Sequence, residues 1–178
     1  MNFKKIFKRD YMNYYADRVM SLRQKIQRTN LKLLKLLLIR RYKRLLFRCQ
    51  SFLPLSKAIS NKIVFPHGLS GVFISNGAII GDGCVIFQQV TIGSNALKDS
   101  KSNGSPVIGK NCYIGAGAKI IGNVSVGNNV RIGANAVVVK DVPDNTTVVG
   151  GGDFRMFQHD YDLDNDFVVF TDGKEKKK

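Results

Sequence analysis

From Ile74 to Pro143 a branched aliphatic residue returns at every sixth position, with one interruption. The blocks read ISNGAI, IGDGCV, IFQQVT and IGSNAL, then the break KDSKSNGSPV, then IGKNCY, IGAGAK, IIGNVS, VGNNVR, IGANAV and VVKDVP. Each opens on Ile or Val, and its fifth place is always Ala, Cys or Val. A period of six matches neither the 3.6 residues of a helical turn nor the two of a flat strand. It predicts a β-solenoid.

The formal charge of +15 over 178 residues is informative once it is located. Residues 1 to 62 hold 17 Lys and Arg against two acids, Asp10 and Asp17, whereas residues 63 to 178 hold 11 of each sign. The excess therefore lies in the first third, and a boundary falls near residue 60. Within that third, Tyr11, Tyr14, Tyr15, Val19, Leu22 and Ile26 recur at three- and four-residue steps, which predicts an amphipathic helix. A second helix is expected behind Thr29 or Asn30, running to Leu46 or Arg48 before Pro54. It mixes leucines with Lys32, Lys35, Arg40, Arg41, Lys43, Arg44 and Arg48 and contains no acid. Residues 30–48 suit either peripheral contact with an anionic membrane or packing on the solenoid or a second subunit, and packing is preferred because the apolar residues take too much of the circumference. Nucleic acid is the least favoured partner, since basic charge comes without a binding motif.

The longest apolar run, LLKLLLI, is far below the roughly 20 residues of a membrane span. The basic N-terminus has no apolar stretch behind it, so a cytoplasmic chain is expected. Cys49, Cys84 and Cys112 suit a reducing compartment, and no metal site is expected from their spacing. Asp160, Asp162 and Asp164 imitate the start of a calcium loop, but Asn165 stands where its Gly belongs and Thr171 where its Glu belongs. The expected organisation is a basic helical segment over 1–60, a solenoid over 62–156 with an inserted loop at 98–107, and a tail over 157–178.

These hexapeptides resemble the left-handed parallel β-helix of the hexapeptide-repeat acyltransferases, which implies a mainly β fold with an N-terminal α-helical segment. In that family three hexapeptides make a triangular coil, so the resemblance implies internal ladders Ile74–Ile92–Ile120–Val138, Ile80–Ile108–Val126 and Ile86–Ile114–Ile132. It also implies a homotrimer in which the inserted loop reaches a neighbour's cleft.

His67 and His159 are the two histidines. His67, with Gly68, Gly71, Val72 and Ile74, is similar to the catalytic segment of serine O-acetyltransferases and related sugar O-acetyltransferases. The resemblance implies acetyl transfer from acetyl-CoA to a hydroxyl, with His67 as general base. An imidazole, of ordinary pKa about 6.5, suits that task. It further implies that Ala116, Ala134, Val139, Lys140 and Arg155 meet the cofactor. Asn76, Asn103 and Ser105 are the residues assigned to the acceptor.

The chain departs from serine acetyltransferases in three places. Their orienting Asp, about fifteen residues before the His, is missing; Phe52 lies there, and no acid occurs from Arg18 to Gly81. Gly104 and Ser105 replace an Arg-His pair of the loop, and Pro66 replaces an acid. His67 is therefore expected to be oriented by a backbone carbonyl, by an amide such as Asn76, or by an acid from later in the chain or another subunit. With its charge partners gone and a shorter N-terminal region, serine is ranked below a sugar hydroxyl of a surface polysaccharide or its precursor. A noncatalytic scaffold is the reading from another class.

Overall fold

The computed structural model describes residues 10–150, 155–163, 165, 168–171 and 174–177. Helix α1 (Asp10–Arg28) is followed by α2 (Lys32–Arg48). The cap of α2 is Leu31, which makes no side-chain capping bond, so the helix starts just after the expected Thr29 or Asn30. Thr29 instead turns its hydroxyl back to the carbonyl of Lys25 at 2.6 Å. Ala16, Val19, Leu22 and Ile26 of α1 and Tyr42, Leu45 and Leu46 of α2 are buried. Leu31, Leu33, Leu34, Leu36, Leu37 and Phe47 remain exposed on the single chain. Packing on the solenoid thus takes only the second half of α2, and no described helix is long and apolar enough to cross a membrane.

Short strands follow: β1 (Phe73–Ile74), β2 (Ile79–Ile80), β3 (Val85–Ile86), β4 (Thr91–Gly93), β5 (Val107–Ile108) and β6 (Tyr113–Ile114). They continue as β7 (Lys119–Ile121), β8 (Ser125–Val126), β9 (Arg131–Ile132), β10 (Val137–Val138) and β11 (Thr146–Val149). β12 (Arg155–Gln158) then turns back antiparallel on β11, and β13 (Val168–Thr171) pairs with β14 (Lys174–Lys177). The strands up to β11 form three parallel sheets, β1-β4-β7-β10, β2-β5-β8 and β3-β6-β9-β11, the last extended by β12. Successive strands up to β10 visit the three sheets in turn, and the Val142 bridge to Val126 supplies the last visit to the second sheet, so the chain winds around a triangular prism.

The register stacks Ile74 on Ile92 and Ile120 on Val138, Ile80 on Ile108 on Val126, and Ile86 on Ile114 on Ile132. These inward residues are all buried. Ile114 sits in the middle of its ladder with no exposure. Ile114→Ala is expected to cost about 2–5 kcal/mol by leaving a cavity between neighbours that cannot collapse. Urea unfolding should show it, with the outward-facing Ile79→Ala as a control within about 0.5 kcal/mol of the parent.

The solenoid begins one coil earlier than the hexapeptide pattern suggests. Phe52 bridges to Phe73, Ile59 to Ile80 and Val64 to Val85, all parallel. A degenerate coil spanning 52–64 therefore caps the prism and carries the helices, where the sequence suggests only an entry loop. Its spacing of seven and five residues hides it from a six-residue count. The corners explain the recurrent Asn and Gly. Asn111, Asn129 and Asn145 stack at one edge with φ of 54–55°, a left-handed conformation that Asn and Gly tolerate best.

Candidate active site

His67 leaves the third side of the capping coil at the corner that follows the β3-β6-β9-β11 sheet. Val64 pairs with Val85, Val85 with Tyr113, Tyr113 with Arg131 and Arg131 with Thr147. Three residues further along each coil, the same register places Gln88, Ala116, Ala134 and Gly150 along one edge; in the capping coil Ser70 stacks on Gln88, its carbonyl accepting the Gln89 N–H at 2.8 Å, and His67 lies just before it in the same widened turn. At about 4.8 Å per coil, Ala134 lies roughly 14 Å from the His67 level. Backbone bonds tie this edge together: Gly117 N–H donates to Gln88 O at 2.9 Å, and Asn135 N–H to Ala116 O at 2.8 Å. The edge is low in relief because its residues are small. A Cβ on Gly115 would stand 2.7 Å from the Ala134 nitrogen, so that approach requires glycine.

The imidazole of His67 is fixed by groups from the neighbouring coil. Its Nδ1 lies 2.8 Å from Oε1 of Gln88. Phe87 meets the ring edge-on, with centroids 5.1 Å apart, and Phe87 in turn leans on Tyr113 at 5.0 Å. Burial pushes the Tyr113 hydroxyl above its ordinary pKa, so it stays a neutral donor. The group at Nδ1 is thus an amide, that of Gln88 rather than Asn76. Counting coils does not find it, since one regular coil before Gln88 stands Ser70, whose carbonyl accepts the Gln89 N–H, and His67 reaches Gln88 only because the turn before Ser70 is widened.

Beside His67 is a cleft of about 490 Å³ lined by Tyr15, Arg48, Cys49, His67, Gly68, Leu69 and Ser70. Tyr15 comes from α1, and Arg48 and Cys49 come from the end of α2. Burial raises the Cys49 thiol above its usual range, which keeps it protonated rather than nucleophilic. Arg48 is exposed, and among the described residues no carboxylate pairs with it. In the sequence Arg48 is only one cation of a basic helix, because nothing local says where that helix ends in space.

The remaining predicted residues divide between two edges. Arg155 opens β12 opposite Val149, at the far end of the His67 edge. Asn76, Val139 and Lys140 follow the β1-β4-β7-β10 sheet and lie at a different corner, which is also the corner of the inserted loop. There Ser105 shares a hydrogen bond of 2.7 Å with Ser94, and Asn103 donates to Leu97 O at 2.8 Å. The loop is knit to its own chain: Asn95 and Gly104 exchange two backbone bonds of 2.9 Å, and Asn123 N–H reaches Ser102 O at 2.9 Å. One chain therefore brings His67, Ala116 and Ala134 together and holds Asn76, Asn103, Ser105, Val139 and Lys140 apart from them.

Two other features have structural employment. Cys84 and Cys112 are buried on adjacent coils and donate to carbonyls of Gly109 and Gly127 at 3.3 and 3.1 Å. A hydrogen bond with the Cys84 thiol, and burial with it, push the Cys112 thiol far up, so it stays neutral. In the acidic tail, Asp162 accepts from Asn129 at 3.3 Å, and Asn165 bonds both Arg131 and the Asn111 carbonyl. Asp164 lies outside the described residues.

Residues 105–140 match the family described as bacterial transferase hexapeptide (six repeats). A serine acetyltransferase of Synechococcus elongatus is 48% identical over 88 residues, covering 49% of this chain and 35% of that protein. One from Staphylococcus epidermidis is 45% identical over 92 residues, covering 52% of this chain and 42% of that protein. The chain thus spans less than half the length of these relatives. Among solved structures, the serine acetyltransferase of Neisseria gonorrhoeae superimposes with a TM-score of 0.66 at 26% identity, covering 83% of this chain and 56% of that one. Serine acetyltransferase 1 of Entamoeba histolytica, in complex with L-cysteine, gives 0.54 at 33% identity, covering 62% and 43%.

These matches overturn the preference for a polysaccharide hydroxyl. The relatives at 43–48% identity are serine acetyltransferases. That preference rests on charge partners missing from the inserted loop, on a shorter N-terminal region and on a basic helix suited to a lipid-linked substrate. A cation does stand beside His67, but it is Arg48, supplied by a helix rather than the loop.

Proposed function

We infer that this chain, a hexapeptide-repeat acyltransferase with a left-handed parallel β-helix, transfers acetyl from acetyl-CoA to the hydroxyl of free serine. The observation that carries the reading is an imidazole held at Nδ1, at the head of a small-residue edge and beside a cleft with a cation. Acetyl-CoA supplies the activated acetyl group as a thioester. His67 Nε2 takes the proton as the hydroxyl oxygen bonds to the thioester carbon, and returns it to the departing thiolate as the C–S bond breaks. No covalent enzyme intermediate is needed. The small residues Ala116 and Ala134 let an extended pantetheine approach the edge closely, and Arg155 at the far end suits its phosphates. Arg48 meets the serine carboxylate.

The active assembly is a homotrimer in this reading. Asn76, Ser105, Val139 and Lys140 lie on a different corner from His67, so they join it only from a second chain.

A thiol-release assay with acetyl-CoA tests the proposal against free serine, nucleotide sugars and oligosaccharides. Serine is expected to give turnover and O-acetylserine by mass spectrometry. In Arg48→Ala, the KM for serine is expected to rise about 10- to 100-fold, as for loss of a charge-assisted bond of about 1.5–3 kcal/mol, with kcat changed much less. Release that is indifferent to serine would end the serine reading. An unchanged KM in the variant would remove Arg48 from it.

A further inference from the structure

We propose that Gln88 is the positioning residue of His67: its amide oxygen accepts the Nδ1 proton and so keeps Nε2 free as the base. The proposal rests on the reading of His67 as general base, but its first test does not use activity. The contact is 2.8 Å and joins adjacent levels of one edge. Gln88 is itself held, because its carbonyl accepts the Gly117 N–H at 2.9 Å and the following Gln89 turns the corner at φ 60°. Phe87 blocks ring rotation from one side. An imidazole with a proton at Nδ1 has its lone pair at Nε2, the nitrogen turned away from Gln88. Were the amide reversed, its N–H₂ would demand a lone pair at Nδ1, and Nε2 would carry the proton and be useless as a base.

The orienter is neutral, and that sets it apart from a carboxylate. A carboxylate at this distance favours the protonated imidazolium, which cannot accept a proton, whereas an amide fixes the same tautomer without that penalty. No acid lies between Arg18 and Gly81 to serve instead. The other titratable groups around the ring are Tyr15, Arg48 and Cys49 across the cleft and Tyr113 behind Phe87, and none of them is a carboxylate.

The test is nitrogen-15 NMR of imidazole-labelled full-length protein near pH 8, together with pH profiles. With two histidines, His159→Gln assigns the spectrum. Wild type is expected to show His67 neutral with the proton on Nδ1. Gln88→Leu should lose that preference and lower kcat about tenfold, with the KM values for acetyl-CoA and acceptor within about twofold. Gln88→Glu should retain the tautomer and recover most of the kcat at high pH, while the acid limb of kcat/KM moves up by about one pH unit. A proton on Nε2 in wild type, or an unaltered tautomer in Gln88→Leu, overturns the proposal. So does an acid limb left in place by Gln88→Glu. The expected tautomer in a protein that releases no thiol would leave the positioning contact standing and remove the catalytic reading instead.

Discussion

Replacing His67 with alanine is expected to slow thiol release from acetyl-CoA by about 10²–10⁴-fold in the presence of serine, the range that a general base supplies. Binding should survive. His67 is exposed at a corner, packs edge-on against Phe87 and makes one hydrogen bond, to Gln88. Its removal therefore opens no cavity in the prism, and the urea midpoint should stay within about 0.5 kcal/mol of the parent. The KM for acetyl-CoA should also hold, because the edge proposed for the pantetheine is made by Ala116 and Ala134 on other coils. Rate lost with binding and stability kept is the pattern of a group that acts in the transition state. If His67→Ala turned over within threefold of wild type, proton transfer would have to come from elsewhere. His159 would not serve, since its Nε2 is 3.0 Å from the Thr147 hydroxyl and its ring lies against Tyr161.

The parts of this architecture that obey a period are visible in the sequence. Ile86, Ile114 and Ile132 are recoverable by counting because each lies at the same phase of a strict six-residue repeat, apart from one insertion. The capping coil is not, because Phe52, Ile59 and Val64 pair at steps that match no hexapeptide, and the side toward the helices is filled by Arg23 instead of a strand. The site follows the same division. His67, Ala116 and Ala134 are legible through a family pattern that sits in or beside the repeat. Gln88 is within the repeat yet was hidden, since its importance depends on the capping coil that brings His67 to its level. Arg48 is the least accessible of all: nineteen residues from His67 along the chain, it reaches the cleft only because α2 folds back on α1. Long-range packing of a helix on a solenoid has no period to read.

Arg23→Met is expected to destabilise the protein by about 2–5 kcal/mol, the cost of leaving buried carbonyls without their donor. Arg23 is fully buried on the inner face of α1. Its Nε donates to Pro54 O at 3.1 Å, its Nη2 to Ser56 O at 2.5 Å and Ile59 O at 2.7 Å, and its Nη1 to Ser60 O at 3.4 Å and to the Asn61 side chain. The segment so bound, residues 54–61, follows Phe52 and includes Ile59 of the capping coil, where no regular ladder satisfies these carbonyls. One planar cation replaces a strand's worth of donors, and Gln27 extends the same seam to Leu55 O and Asn61. Burial lowers the guanidinium pKa, but from so high a starting value that the charge persists. Methionine keeps the apolar stem and removes every donor, leaving the buried Pro54 and Ile59 carbonyls without that donor at about 1–3 kcal/mol each before relaxation, whereas Ser56 O keeps the Ile59 N–H and the Gln27 amide. Lysine restores a point charge with three donors that cannot span the fork, so Arg23→Lys should fall between methionine and wild type. Urea unfolding ranks the three. A methionine variant level with wild type would mean that the carbonyls are solvated and that the seam contributes no stability. The expected loss also reaches the chemistry, since α1 and α2 present Tyr15 and Arg48 to the His67 cleft. A partly loosened Arg23→Lys protein should therefore show a raised KM for serine at temperatures where the prism is still folded.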